Sequence, residues 1–241
     1  YLAYMVFGRK YEPDLVILNF LADNDVANNS QKLESGPSKP FFEIRDGELV
    51  LTHRPSKDAK GRLMSFITDY LVLPRFLYLK FETAKARFEQ ASRGSAGGES
   101  DAGLNVRDGV YHQDYDQTWQ EAWDITIALI RKLAEQVMAD GAKFIVVSFP
   151  VARQTVPEVR QEFSEANTKR GIPVDMDKPE ELLRQSLQES DIRLVSLPQI
   201  FTSHPRLREF YLEDDWHFSA AGHEFVATYL TEYLQENNLL P

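Results

Sequence analysis

The 241-residue chain contains no cysteine. Disulfides, thiolate metal sites and a cysteine nucleophile are excluded together, while the compartment stays open because many exported proteins also lack cysteine. No apolar run is long enough to span a bilayer, since the long helical candidates are amphipathic and interrupted by charge. Positive charge is scarce: 27 Lys and Arg stand against 37 Asp and Glu, a formal net charge of −10. A phosphate-reading footprint on nucleic acid is therefore not expected. An initiating methionine is also missing, and the chain runs from Tyr1 straight into the helix-like YLAYMVFGRKYEPD. We expect the beginning of the protein to lie before Tyr1.

What is present suits a globular domain. Apolar residues make up 43% and charged residues 27%, and this length fits one α/β domain. Residues 1–10 read as the end of a helix with Leu2, Met5 and Val6 on one face, broken by Glu12-Pro13-Asp14. The continuous apolar run Leu15–Phe20 reads as a strand buried on both faces, as in a parallel sheet, with Ala142–Phe149 as a second buried strand and Ile192–Leu197 as a third. Between and after them, residues 116–139, 156–168, 178–190 and 218–236 carry helical periodicity. Strand and helix alternate, which predicts a parallel sheet with helices on both faces. Three strands are visible where such sheets usually have more, a second reason to expect sequence before Tyr1.

Residues 31–115 interrupt this rhythm and read as an insertion. FFEIRDGELVLT, at 41–52, is a hairpin whose Asp46-Gly47 suits a tight turn with positive φ. Residues 62–91 read as helical with a break before Pro74, and SRGSAGGESDAG at 92–103 as a flexible loop. Phe76, Tyr78, Phe81 and Phe88 could line an acyl groove, though packing of the insertion explains them more simply.

Two short stretches can carry chemistry. The first is Asp214-Asp215-Trp216-His217, just before the last helix. A carboxylate three residues ahead of a histidine can accept the imidazole N–H, fix its tautomer and stabilise imidazolium. Asp214 has that spacing and Asp215 is the adjacent alternative; an exposed acidic loop with an incidental histidine reads equally well. The second is Ala22-Asp23-Asn24-Asp25, in a polar stretch just past the first strand. Ligand groups gather at strand C-terminal ends in open α/β sheets. The Asn24 amide could donate to an oxyanion there, or it could cap a helix or form an Asx turn.

Together the two stretches, PDLVILNFLADNDVANNS and DDWHFSAAGHEFVA, resemble the third and fifth sequence blocks of the SGNH (GDSL-type) hydrolases. The order of elements between them is similar to that family's. The resemblance implies a flavodoxin-like three-layer α/β/α fold with a mostly parallel sheet, plus a hairpin and helical insertion. It implies a single such domain over 1–241, N-terminally incomplete, with 31–115 inserted. By it, Asn24 stands for the family's oxyanion-hole Asn, with Ala22 replacing the usual Gly. Asp214 and His217 stand for the orienting acid and the general base. The implied activity is serine-type hydrolysis of an acyl or acetyl ester on a small molecule or glycan, with no cofactor and no metal. O-acyl transfer to a glycan and an inactive ligand-binding module are the alternatives. An exported or cell-envelope setting follows from the resemblance alone, and nothing in the sequence speaks to oligomeric state.

The family's nucleophile sits in a Gly-Asp-Ser block, and no Gly-Asp-Ser occurs in this chain. Ser30, Ser148 and Ser219 could substitute, but each reads better as a turn or capping hydroxyl. His217 and His223 with the nearby aspartates lack the spacing of a helical metal pair. We therefore expect a base-and-oxyanion half-site whose nucleophile precedes Tyr1.

Overall fold

The computed structural model describes residues 1–34, 39–53, 106–213 and 216–240. The expected helix at 62–91, the loop at 92–103 and the candidate acyl-groove aromatics lie outside these. The chain divides into two compact units, one of Tyr1–Gly36, Phe41–Thr52 and Asn105–Pro241, the other of Pro37–Pro40 and His53–Leu104. The first of these holds the parallel sheet and its helices.

That unit begins with helix α1 (Leu2–Val6) and a 3-10 turn (Gly8–Tyr11). Strand β1 (Leu15–Phe20), helix α2 (Ala22–Asn29) and the hairpin β2 (Phe41–Arg45) and β3 (Glu48–His53) follow. A 3-10 turn (Val106–Tyr111), helix α3 (Gln117–Ala139) and strand β4 (Lys143–Ser148) come next. Helices α4 (Ala152–Thr155), α5 (Pro157–Lys169) and α6 (Lys178–Gln188) lead to strand β5 (Arg193–Ser196). Helix α7 (Leu197–Thr202), a 3-10 turn (Leu207–Phe210) and helix α8 (Ala220–Glu236) complete it.

β1, β4 and β5 form a parallel three-stranded sheet in the order β1-β4-β5. The central strand explains its sequence. Phe144 and Val146 point into a core shared with α2, α3 and α6, while Ile145 and Val147 point into a second core built from α4, α7 and α8. Period-two alternation thus serves two cores, so every position from Phe144 to Val147 is apolar. Burying a Val or Ile side chain contributes about 1.5–3 kcal/mol, and Ile145, Val146 and Val147 are fully buried.

β1 is less buried than its composition suggests. Among the described residues it pairs only with β4, and Ile17 remains 38% exposed. At the start of the chain Tyr1, Tyr4 and Met5 pack against the core, the Tyr4 hydroxyl donates to Asp140 at 2.9 Å, and Val6 faces outward. The expected Leu2, Met5 and Val6 face therefore holds at Met5 and fails at Val6.

Local signals account for most boundaries. Asp116 caps α3 by accepting from the Trp119 N–H at 2.9 Å. Gly141, at φ 88°, ends it, with Ala142 N–H donating to Val137 and Gly141 N–H to Met138. Asp46 and Gly47, at φ 52° and 82°, form the positive-φ hairpin turn. α8 starts at Ser219, whose hydroxyl accepts from Gly222 N–H at 3.2 Å and donates to the Glu209 carbonyl.

Gly222 sits directly against the preceding 3-10 turn. A Cβ there would lie 2.3 Å from the Phe210 carbonyl oxygen, whereas at Gly47 a Cβ meets nothing within 4 Å. The first clash is with backbone and cannot be relieved by a rotamer. Gly222→Ala should cost about 3 kcal/mol, at the upper end for overpacking. Gly47→Ala should cost only about 1 kcal/mol of positive-φ strain. Urea denaturation of both variants checks this; equal midpoints would remove the close approach as the reason for glycine.

Candidate functional site

The C-terminal ends of β1 and β4 open into a cleft of about 1080 Å³. The register explains why. Phe20 pairs with Ser148, so the two strands end level, and the Phe149 N–H donates to the Phe20 carbonyl at 2.8 Å. Each strand leads at once into a helix, α2 from Leu21 and α4 from Val151, so both helix starts border the same space. The loop before α8 supplies a further wall with Trp216, His217 and Phe218.

The polar stretch after β1, not among the expected helices, forms helix α2. Its Asp and Asn residues favour caps and turns, but Val26 and Ala27 pack into the core and pull the segment into a helix. Asp25 accepts from the Leu21 N–H at 2.7 Å and so caps the helix from within. Asn24 stands in the first turn and lines the cleft. Its Oδ1 is enclosed and accepts no hydrogen bond among the described residues, a state that costs about 1–3 kcal/mol.

His217 lies in a tightly closed loop. Leu212 N–H donates to the His217 carbonyl at 2.8 Å, and Trp216 N–H donates to Leu212 at 3.1 Å. Tyr211 and Phe218 bridge in antiparallel fashion. Trp216 takes φ 60°, uncommon for a bulky residue, and its ring stacks under the Arg208 guanidinium at 4.2 Å. The His217 side chain is exposed at the cleft. Asp214 and Asp215, the orienting-acid candidates, lie outside the described residues.

The structure thus brings Asn24 and His217 to one cleft. His223, in the first turn of α8, joins its lining, with its ring 5.7 Å from that of Phe218. The candidate serines are elsewhere. Ser148 is buried and donates to Glu180 at 2.6 Å; Ser219 caps α8; Ser30 is buried just after α2. Among the described lining residues there is no serine, threonine, tyrosine or cysteine. No group of three or more metal-ligating side chains occurs among the described residues. None of the helices described is long and apolar enough to cross a membrane.

Sequence reasoning missed the charged residues beside Asn24. Arg153, from α4, donates to Asp108 at 2.6 Å and approaches Asp23 at 3.5 Å. The Tyr111 hydroxyl donates to Asp23 at 3.2 Å. Burial raises the Asp23 carboxyl above its usual range, while Arg153 and the Tyr111 hydrogen bond pull it back. Burial alone would lower the Arg153 guanidinium, but Asp23, Tyr111 and Asp108 outweigh it, and the net shift is upward. The one usable signal was position: Arg153 follows β4 on the same sheet edge. Its partners, distant in sequence, gave none.

No family model matches the chain, and no curated protein or solved structure matches it.

Asp25 offers a test of the burial of this helix start. Burial raises its carboxyl above the ordinary 3.8, and the Leu21 N–H bond only partly offsets that. The folded state then holds this proton more tightly than the unfolded state. The group's stabilising contribution is full at low pH and is lost as pH rises from 3.8 through the raised value. Asp25→Asn keeps an acceptor for Leu21 and removes the titration. Its unfolding free energy, measured by urea at several acidic pH values, should fall less steeply with rising pH than that of the wild type. Identical slopes would show that Asp25 is not desolvated.

Proposed function

We propose that the cleft is the base-and-oxyanion part of an acyl-ester-processing site of the SGNH type. One observation carries this: Asn24, in the first turn after β1, and His217, in the loop before α8, line the same cleft at the C-terminal edge of the sheet. The parallel α/β arrangement is compatible with the flavodoxin-like topology that such a site uses.

In this proposal an attacking hydroxyl comes from outside the described residues. His217 takes its proton as it attacks the ester carbonyl and returns that proton to the departing alcohol. Asp214 holds the imidazole in the receptive tautomer and stabilises the imidazolium. Asn24 donates its side-chain N–H to the oxyanion, an interaction stronger in the transition state than in the ground state. The carbon–oxygen bond to the alcohol breaks as the acyl group passes to the hydroxyl, and water or an acceptor alcohol releases it. No step calls for a metal or an organic cofactor. Hydrolysis and transfer to a glycan hydroxyl differ only in the acceptor.

A second reading has its own observation. The absence of a hydroxyl or thiol side chain among the described lining residues also suits a cleft that binds a ligand without turning it over.

Turnover of p-nitrophenyl acetate by the complete gene product separates the two. For a working ester site, His217→Ala should lower kcat/KM by several orders of magnitude, on the scale of about 10⁴ or more. Asn24→Ala should lower kcat by about 10²–10³ with KM little changed. Hydrolysis that survives His217→Ala undiminished would sink the mechanism. Binding without turnover in the wild type would favour the ligand-binding cleft.

A further inference from the structure

We propose that Arg153 is a positioning residue for Asn24, acting through the side chain that precedes it. The kinetic part of this inference rests on the ester reading of the cleft; the structural part does not.

An amide that stabilises a developing oxyanion must be held in place before the reaction. A side-chain amide is usually held by a hydrogen bond to its own oxygen. Asn24 has no such restraint, because its Oδ1 is enclosed without a partner among the described residues. Its orientation must therefore come from the backbone of the α2 first turn. The N-cap position, Leu21, makes no side-chain capping bond. Asp25 secures the Leu21 N–H from inside the helix, but nothing in that bond ties the turn to the rest of the domain.

Asp23 supplies the tie. Its carboxylate takes the Tyr111 hydroxyl at 3.2 Å and lies 3.5 Å from Arg153 Nε. Arg153 in turn reaches Asp108 through Nη1 at 2.6 Å, and its guanidinium lies over the Phe163 ring at 5.1 Å. One planar cation thus links α2, the 3-10 turn Val106–Tyr111, α4 and α5. The side chains of Arg153, Asp23 and Asp108 are 27%, 14% and 12% exposed, so solvent competes weakly for these bonds. Guanidinium geometry matters here, because its rigid fork serves two carboxylates at fixed angles, as an ammonium does not. Residues 23 and 24 are adjacent, so whatever holds Asp23 also holds the Asn24 backbone.

The test follows the Asn24 side-chain amide by ¹H–¹⁵N NMR, its signal identified by loss in Asn24→Ala, alongside p-nitrophenyl acetate turnover. In Arg153→Met the amide should become mobile on the nanosecond scale, with near-UV circular dichroism unchanged. Its kcat should fall by about 10- to 100-fold, the effect of misplacing a reacting group by about an ångström, with KM within about twofold. In an Asn24→Ala background, Arg153→Met should cause no further loss. Asp108→Asn removes one arm of the clamp and keeps Arg153; it serves if Arg153→Met fails to fold, and should shift the same signal in the same direction. An Asn24 amide as ordered in both variants as in the wild type would overturn the clamp, whatever the turnover. An undiminished kinetic effect of Arg153→Met on the Asn24→Ala background would overturn action through Asn24. A loosened amide with turnover unchanged in both Arg153→Met and Asn24→Ala would leave the clamp standing and overturn the ester reading of the cleft.

Discussion

The burial of β4 between two cores organises the rest of this domain. Because Phe144 and Val146 serve one core and Ile145 and Val147 the other, turning the strand over would exchange side chains of different size between two close-packed cores, which mispacks both. A fixed β4 fixes β1 beside it, through a register that pairs Leu15 with Lys143 and Phe20 with Ser148. The level strand ends then place the starts of α2 and α4 side by side. Asn24 and Arg153 line the same cleft for this reason, not because of any attraction between them.

The cleft carries polar costs that a purely structural surface would avoid. Asn24 keeps an enclosed oxygen without a partner among the described residues, Trp216 holds a left-handed backbone conformation, and the carboxyls of Asp23 and Asp25 are raised by burial. Such departures from local preference gather where a site has to be held in a given form. The restraints surround them: the Asp23–Arg153–Asp108 bonds on one side, and on the other the Tyr211–Phe218 bridge with Ser219 and Gly222 locked against the Phe210–Tyr211 segment.

Much of the fold was legible, and the reasons are specific. β4 could be read because Phe144 to Val147 are apolar without a break, a run that has few other uses. α3 could be read because Trp119, Trp123, Ile127, Ile130 and Val137 recur at helical spacing ahead of a Gly stop. α2 was missed as a helix because Asp23, Asn24, Asp25, Asn28 and Asn29 each favour turns locally, and only the packing of Val26 and Ala27 overrules them. β1 read as more buried than it is because its apolar run resembles that of β4, while its neighbours on the sheet are a matter of topology.

By itself the sequence determined the strands and most helices, the turn at Asp46-Gly47, the turn-or-cap role of the Ser219 hydroxyl, and the nomination of Asn24 and His217 as chemically capable residues. These are properties of short windows, set by backbone preference and by the period at which side chains alternate. Tertiary structure alone decided that Asn24 and His217 share a cleft, that Ser148 is turned into the interior toward Glu180, and that Arg153 joins Asp23 to Asp108. Periodicity states which face of an element is buried; it does not state what it is buried against. Partners brought together across the sheet edge are chosen by register and layer order, which no local pattern encodes.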